Sequence, residues 1–311
     1  MTAKTIQTLK GPVDVDTLGL ILPHERLFTD LRGPHVPEYA QGEPSAVLKV
    51  VEPYLAQAAA AGATALVECS TMGVGRNLRI LQRLADATPI HIIAPTGVYR
   101  DAYIPAALRD VNEDYLADLW TRELSEGIEG TSIRAGFIKL AMSDDGPMPL
   151  EIRNLRAAVK ASQRTGAVIG SHTIGGTVAK KEMDVLEEAG LDLNRFIWIH
   201  AQSEPDRSVL EEAARRGAYV ELDSVGAPYH SQPELLDVTV ALIAAGYIDH
   251  LLLSHDAGWY NPADPNGMPD GGYRGYTALM KDFLPALLQR GITAEQVRQI
   301  TIDNPARAFA F

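Results

Sequence analysis

The sequence predicts an α/β protein, a closed (β/α)8 TIM barrel behind a short N-terminal β-hairpin. Eight short apolar runs recur along the chain, and amphipathic Ala/Leu-rich stretches separate them. Strands alternating with helices predict a parallel sheet, and near-continuous apolarity is what a parallel strand shows when both faces are covered. Eight such units in about 290 residues match one barrel domain. A doubly wound open sheet is the runner-up.

The elements follow in order. Residues 1–17 hold two short β-like pieces around Gly11-Pro12, a hairpin before the barrel, which spans 18–311. The apolar runs are LGLILP (18–23), ATALVEC (63–69), IHIIAPT (90–96), AGFIKLAM (135–142), AVIGSH (167–172), FIWIH (196–200), AYVELD (218–223) and HLLLSHD (250–256). Helical periodicity spans 45–61, 151–165, 204–216 and 233–245, and each stretch is followed by glycine, the common helix stop (Gly62, Gly166, Gly217, Gly246).

Composition narrows the function. With 28 basic and 40 acidic residues the net charge is −12, which argues against nucleic acid or an anionic membrane as partner; the expected partner is a small-molecule substrate. No run of about 18 apolar residues predicts a membrane span. MTAKTIQTLKGPVDVD lacks the apolar stretch of a secretory leader. The one cysteine, Cys69, cannot form an intrachain disulfide. A reducing, cytoplasmic setting is expected.

In a barrel, chemistry sits at the C-terminal ends of the strands. There the sequence places His24-Glu25-Arg26, Glu68-Cys69, Lys139, His172, His200, Glu221 with Asp223, and His255-Asp256. Four of the eight histidines end strands. A lone strand-end histidine is usually a packed, hydrogen-bonded residue, but this concentration points to a shared metal site. Lys139 sits in the otherwise apolar GFIKLA, and lysine is almost never fully buried unless paired. Neighbours in a strand face opposite ways; Asp256 is assigned to the interior, and His255 to a supporting or packing role. Imidazole and carboxylate suit Zn²⁺, Mn²⁺, Co²⁺ or Fe²⁺. A buried lysine has a lowered pKa, and carboxylated by CO₂ it becomes an anion that can bridge two metals.

Other motifs are weaker. Gly73-Val-Gly75 lacks the third glycine of a dinucleotide loop, since Leu78 stands there. There is no G-x-S-x-G elbow, and Cys69 is assigned to packing. The segment AGWYNPADPNGMPDGGYRGY (257–276) is long and rich in Gly, Pro and aromatics, as a lid or binding loop is. Tyr99, Tyr229, Trp259 and Tyr260 are candidate pocket walls.

At these residues the sequence resembles the phosphotriesterase family of the amidohydrolase superfamily, including its lactonase-like members. The motifs are LGLILPHE, VECSTMGVGRN, APTGVY, AGFIKLA, SHT, FIWIHAQSE, LLLSHDAGWY and ITIDNPARAFAF, spread over essentially the whole chain. The resemblance implies a metal-dependent hydrolase holding one or two divalent ions, zinc first among them. Lys139 matches the carboxylated bridging lysine, and His172 and His200 the histidines of the more exposed metal. Asp256 matches the ligand that also takes the proton from the hydrolytic water, and His24 the first histidine of a strand-1 H-x-H pair. Tyr99 matches a tyrosine beside the metals in a T-G-x-Y context. Implied substrates are lactones, carboxylic esters and organophosphate triesters, with lactone or ester favoured by Tyr99, and a homodimer is implied as well.

The strand-1 motif departs from the family: it reads His24-Glu25-Arg26. Residues two apart share a face, and a guanidinium has no lone pair for a metal. Three arrangements follow. The site holds one metal on Lys139, His172 and His200, with Arg26 in place of the second metal's charge and paired with Asp256 or the lysine carbamate. Or Arg26 swings away from a weaker two-metal site. Or the protein only binds a small molecule. Arg26 is also a candidate for binding a substrate carboxylate. Glu25 is expected to point out of the barrel. A non-hydrolytic lyase, such as a decarboxylase, is the alternative enzyme class.

Overall fold

The computed structural model describes residues 4–311; positions 1–3 of the expected hairpin segment lie outside the described residues. The hairpin is present. β1 (Thr5–Thr8) pairs antiparallel with β2 (Gly11–Asp14), Thr8 opposite Gly11. It closes the bottom of the barrel. Ile6 is fully buried in one apolar cluster with Ile21, Ala65, Ile93, Phe137 and Leu252, interior residues of five different strands. The chain end returns to the same place: Phe309 packs edge-on to Phe137, and the Phe311 amide donates to the Thr5 carbonyl.

The barrel is built from β3 (Leu20–Phe28), β4 (Ala63–Glu68), β5 (His91–Ile93), β6 (Pro95–Gly97), β7 (Phe137–Ala141), β8 (Ile169–His172), β9 (Phe196–Ile199), β10 (Tyr219–Leu222), β11 (Leu251–Leu253) and β12 (Gly258–Tyr260). All pairings among them are parallel, in the orders β12-β3-β4-β5 and β6-β7-β8-β9-β10-β11. β5 and β6 flank Ala94 and form one stave; β11 and β12 form another, broken at Ser254–Ala257. Eight staves result, as the sequence predicts. The last stave meets the first at the site: Asp256 N donates to His24 O at 3.1 Å and Arg26 N to Ala257 O at 3.0 Å.

The first strand differs from the sequence reading, which ends it at Pro23. It continues to Phe28 because the missing Pro23 N–H falls at a bulge: Leu22 pairs with Leu66, and the next partners are Glu25 and Glu68. The Glu25 carboxylate then fastens β3 to the eighth stave, accepting from Ser254 Oγ, Ala257 N and His255 Nδ1 at 2.9, 3.1 and 2.5 Å. Glu25 therefore points out of the barrel interior, as expected.

The helices cover the outside. Pro44–Ala60, Pro149–Thr165, Arg207–Arg215 and Gln232–Ala244 match the periodic stretches. Leu78–Asp86 is the helix that opens after Gly73-Val-Gly75, while Glu113–Ser125 and Gly176–Glu188 lie where the sequence reading assigns no helix. Gly73 and Gly75, both at positive φ, serve packing: a Cβ on either would sit 2.1 Å from Tyr103 O or 2.5 Å from Asp30 N. No helix of the described residues is long and apolar enough to cross a membrane.

Glu182 is a fully buried acid on the helix behind β8, with one oxygen accepting from the Thr173 hydroxyl and Oε1 unpartnered among the described residues. Burial pushes its carboxyl up from 4.5 to about 8. The protonated acid is therefore the folded form. Its contribution to stability is full below about 4.5, declines through neutrality and is lost above about 8. Glu182→Gln should flatten the fall in unfolding free energy between mildly acidic and mildly alkaline pH, by a difference on the order of 2–4 kcal/mol, as denaturant melts at several pH values would show. Identical pH profiles for the two proteins would contradict this.

Candidate metal centre

Inward-facing side chains at the C-terminal strand ends converge. His24 lies on β3, Lys139 on β7 and His172 at the end of β8; His200 directly follows β9, and Asp256 follows β11. The ligand atoms of His24, His200 and Asp256 lie within 4.8 Å of one another. The His172 ring stands nearly perpendicular to that of His200, centroids 4.5 Å apart.

Each imidazole is oriented through Nδ1. That of His24 bonds Glu221 Oε1 at 2.7 Å, that of His200 bonds Asp223 Oδ1 at 2.8 Å, and that of His172 bonds the Tyr99 hydroxyl at 3.1 Å. A ring held this way presents Nε2, and such a bond through the other ring nitrogen usually accompanies metal ligation by histidine. Asp223 is itself fixed by the His200 backbone N–H and by Gln202 Nε2, at 3.0 and 2.7 Å. Glu221 and Asp223 are recognisable in the sequence only as polar residues two apart at a strand end. Their role as orienting groups appears with the contacts.

Buried atoms without partners mark the same place. Among the described residues, His24 Nε2, His172 Nε2, Lys139 Nζ and Glu221 Oε2 are buried with no hydrogen bond. Such groups are rare and call for a specific partner. A divalent cation is chemically suited to the imidazole nitrogens. Backbone strain points to function as well: His200 and Asp256 both adopt positive φ, at 67° and 44°, a conformation costing roughly 1–3 kcal/mol for a residue other than glycine.

The electrostatics divide the site. Burial, then His200 and Lys139, hold the His172 imidazole well below its ordinary value, so it is a neutral lone-pair donor. Burial also lowers the Lys139 amine. Burial alone would lower His24 too, but Cys69, Asp256 and Glu221 hold it well above 6.5.

Arg26 stays inside the barrel, almost fully buried, with Nε donating to Asp256 Oδ1 at 2.7 Å. The arrangement in which it swings away is not the one observed. Burial would raise the Asp256 carboxyl; Arg26, and next His24, hold it well below the carboxylate range instead. His24 Nε2 lies 3.3 Å from the same Asp256 oxygen. His255 faces the other way, as expected, taking the Leu279 amide on Nε2 at 2.9 Å and Glu25 on Nδ1.

Above the cluster opens a cavity of about 370 Å³ whose lining includes Arg26, Tyr99, Tyr229, Asp256, Trp259 and Arg274. Three of the four expected wall residues are there. Tyr260 is not: it stacks on Phe28 and faces a separate surface cleft beside Tyr54. Trp259 and Tyr260 are neighbours on β12, so only one can face the cavity. Arg274 is a lining residue that the sequence reading misses. Cys69 is buried in the interior apolar cluster, as expected of a packing residue, but it also borders the site, where burial pushes its thiol up and His24 and Lys139 pull it down.

The model of the phosphotriesterase family matches residues 4–309. The chain belongs to the phosphotriesterase family. It is 31% identical to the phosphotriesterase homology protein of Mycobacterium tuberculosis, over 98% of this chain and 97% of that one. It is 29% identical to the N-acetyltaurine hydrolase of Danio rerio, over 98% of each. A solved variant of the phosphotriesterase-like lactonase of Deinococcus radiodurans superposes with a TM-score of 0.88 at 32% identity, over 98% of this chain and all of that one (100%). These relatives support a hydrolase on a (β/α)8 barrel. His24, His200 and Asp256 form a donor set that could hold a divalent ion.

Proposed function

We propose that the protein is a hydrolase of lactones or carboxylic esters that works with one divalent ion. The observation carrying this reading is the Arg26–Asp256 pair at 2.7 Å inside the ring of imidazoles. A guanidinium supplies positive charge but no lone pair, so it occupies the charge position of a second metal without ligating one.

His172, His200 and Lys139, the last as its CO₂ adduct, are the residues to hold the ion. Zinc is the first candidate, with manganese, cobalt or iron as alternatives. When bound, the ion supplies a Lewis acid for the substrate oxygen and a water of lowered pKa. Asp256, ionised at neutral pH, accepts the proton of the attacking water and passes it to the leaving oxygen. Arg26 holds Asp256 in place and limits its basicity. Tyr99 orients His172 and reaches the cavity, where Trp259 and Tyr229 offer apolar surface to an acyl chain.

The test is hydrolysis of a panel of γ- and δ-lactones and aryl esters by purified protein, by protein stripped with a chelator, and by stripped protein given zinc or manganese with bicarbonate. The expected result is activity lost on stripping and regained on addition. Activity indifferent to chelation would overturn the metal-dependent reading. Release of CO₂ without net ester or lactone cleavage would move the protein to the lyases.

A further inference from the structure

The chain is strongly acidic, yet three arginines line the cavity over the site: Arg26, Arg100 and Arg274, against Asp256 and Asp270. Two of the three are committed. Arg26 pairs with Asp256 at 2.7 Å, and Arg100 lies 3.3 Å from both oxygens of Asp144 at the exposed rim. Arg274 differs. Its Nη2 donates only to neutral oxygens: the Asp256 carbonyl at 2.5 Å, the His255 carbonyl at 3.3 Å and the Tyr229 hydroxyl at 3.3 Å. Its guanidinium lies 5.6 Å from the centroid of the Tyr229 ring. Among the described residues it forms no ion pair, and its Nη1 and Nε take no acceptor.

A cation fixed by neutral acceptors, with unused donors beside a cavity, is built to receive an anion. Fixing the side chain in advance removes most of the entropy cost of ordering it on binding. Each unused N–H, on Nη1 or Nε, can give a carboxylate oxygen a charge-assisted hydrogen bond stronger than a neutral one. The anchor also sets the distance. Arg274 is tied to the carbonyl of Asp256, the residue whose side chain pairs with Arg26, so both ends of the ligand belong to one small molecule.

We infer that the substrate carries a carboxylate remote from the bond that is cleaved, and that Arg274 binds it. This deepens the proposed hydrolase reading and rests on it for the word substrate. It sets the expected class as half-esters of dicarboxylic acids, or lactones bearing a free acid, rather than neutral lactones or triesters.

The test uses a matched pair of chromogenic esters, the 4-nitrophenyl monoester of glutaric acid and the 4-nitrophenyl ester of pentanoic acid. Metal-loaded wild type is expected to favour the acid-bearing ester in kcat/KM by about tenfold or more. Arg274→Ala should cut that preference by about tenfold to a hundredfold, chiefly through KM, and Arg274→Lys should restore part of it. Because the readout is a ratio between two substrates of one preparation, partial misfolding cancels. The same preference in wild type and Arg274→Ala overturns the inference, as does no preference in wild type. Glutarate binding, followed by the fluorescence of Trp259 in the cavity wall, is independent of turnover. If neither ester is cleaved, the hydrolase reading fails, while glutarate bound by wild type and not by Arg274→Ala upholds the anion site. Absence of binding by wild type sinks it.

Discussion

Replacing Lys139 by alanine should lower kcat/KM on the order of 10³-fold and remove the bound metal with it. The reason is the state of the amine. Lys139 is fully buried on β7, and its Nζ has no hydrogen-bond partner among the described residues. Burial pulls its pKa down, which shifts the balance toward the neutral amine, the form that can react with CO₂. A purely structural lysine would need a buried counter-ion, and among the described residues no ion pair includes it. The strand pairing beside it is close: Lys139 is opposite Gly97 on β6, where an added Cβ would lie 2.2 Å from the Lys139 carbonyl. Metal content and steady-state rates check the expectation. A short carboxylic acid added with metal should recover part of the activity, which a collapsed fold would not allow. Full activity and full metal content in Lys139→Ala would refute the role.

The second large effect is expected at Arg26. Histidine at this position shares its face with His24 and offers a lone pair in place of a fixed cation. Arg26→His should raise the capacity of the site from one divalent ion per chain to two. In the metal-free state it should also be less stable than wild type, on the order of 3 kcal/mol, because Asp256 loses the cation that compensates its buried charge. Added metal should reverse that loss, since an ion that binds only the folded state stabilises it by mass action. A variant destabilised equally with and without metal would show that Arg26 is only a structural partner of Asp256.

The barrel and the five ligand candidates are legible in the sequence because their signals are local. Each strand is a short apolar run, and His24, Lys139, His172, His200 and Asp256 stand at or near the strand ends. The alternation that separates His255 from Asp256 holds even where the stave leaves regular strand geometry. What the sequence does not show depends on partners far along the chain. Glu221 becomes an orienting group only when β10 lies near β3, nearly two hundred residues away. β3 runs past Pro23 because the Glu25 carboxylate finds its donors on the eighth stave. Trp259 and Tyr260 separate to opposite sides because β12 forms inside a segment that composition alone marks as a loop. Arg274 lies in the same segment, and its position is fixed by carbonyl oxygens that no side-chain pattern encodes.

The central claim is that Arg26 makes this a one-metal member of its family. Elemental analysis of wild type produced with excess zinc or manganese and bicarbonate, with Arg26→His prepared in parallel, tests it most directly. The account predicts one ion per chain in wild type and two in the variant. Two ions in wild type would contradict it, by showing that a second metal binds beside the guanidinium.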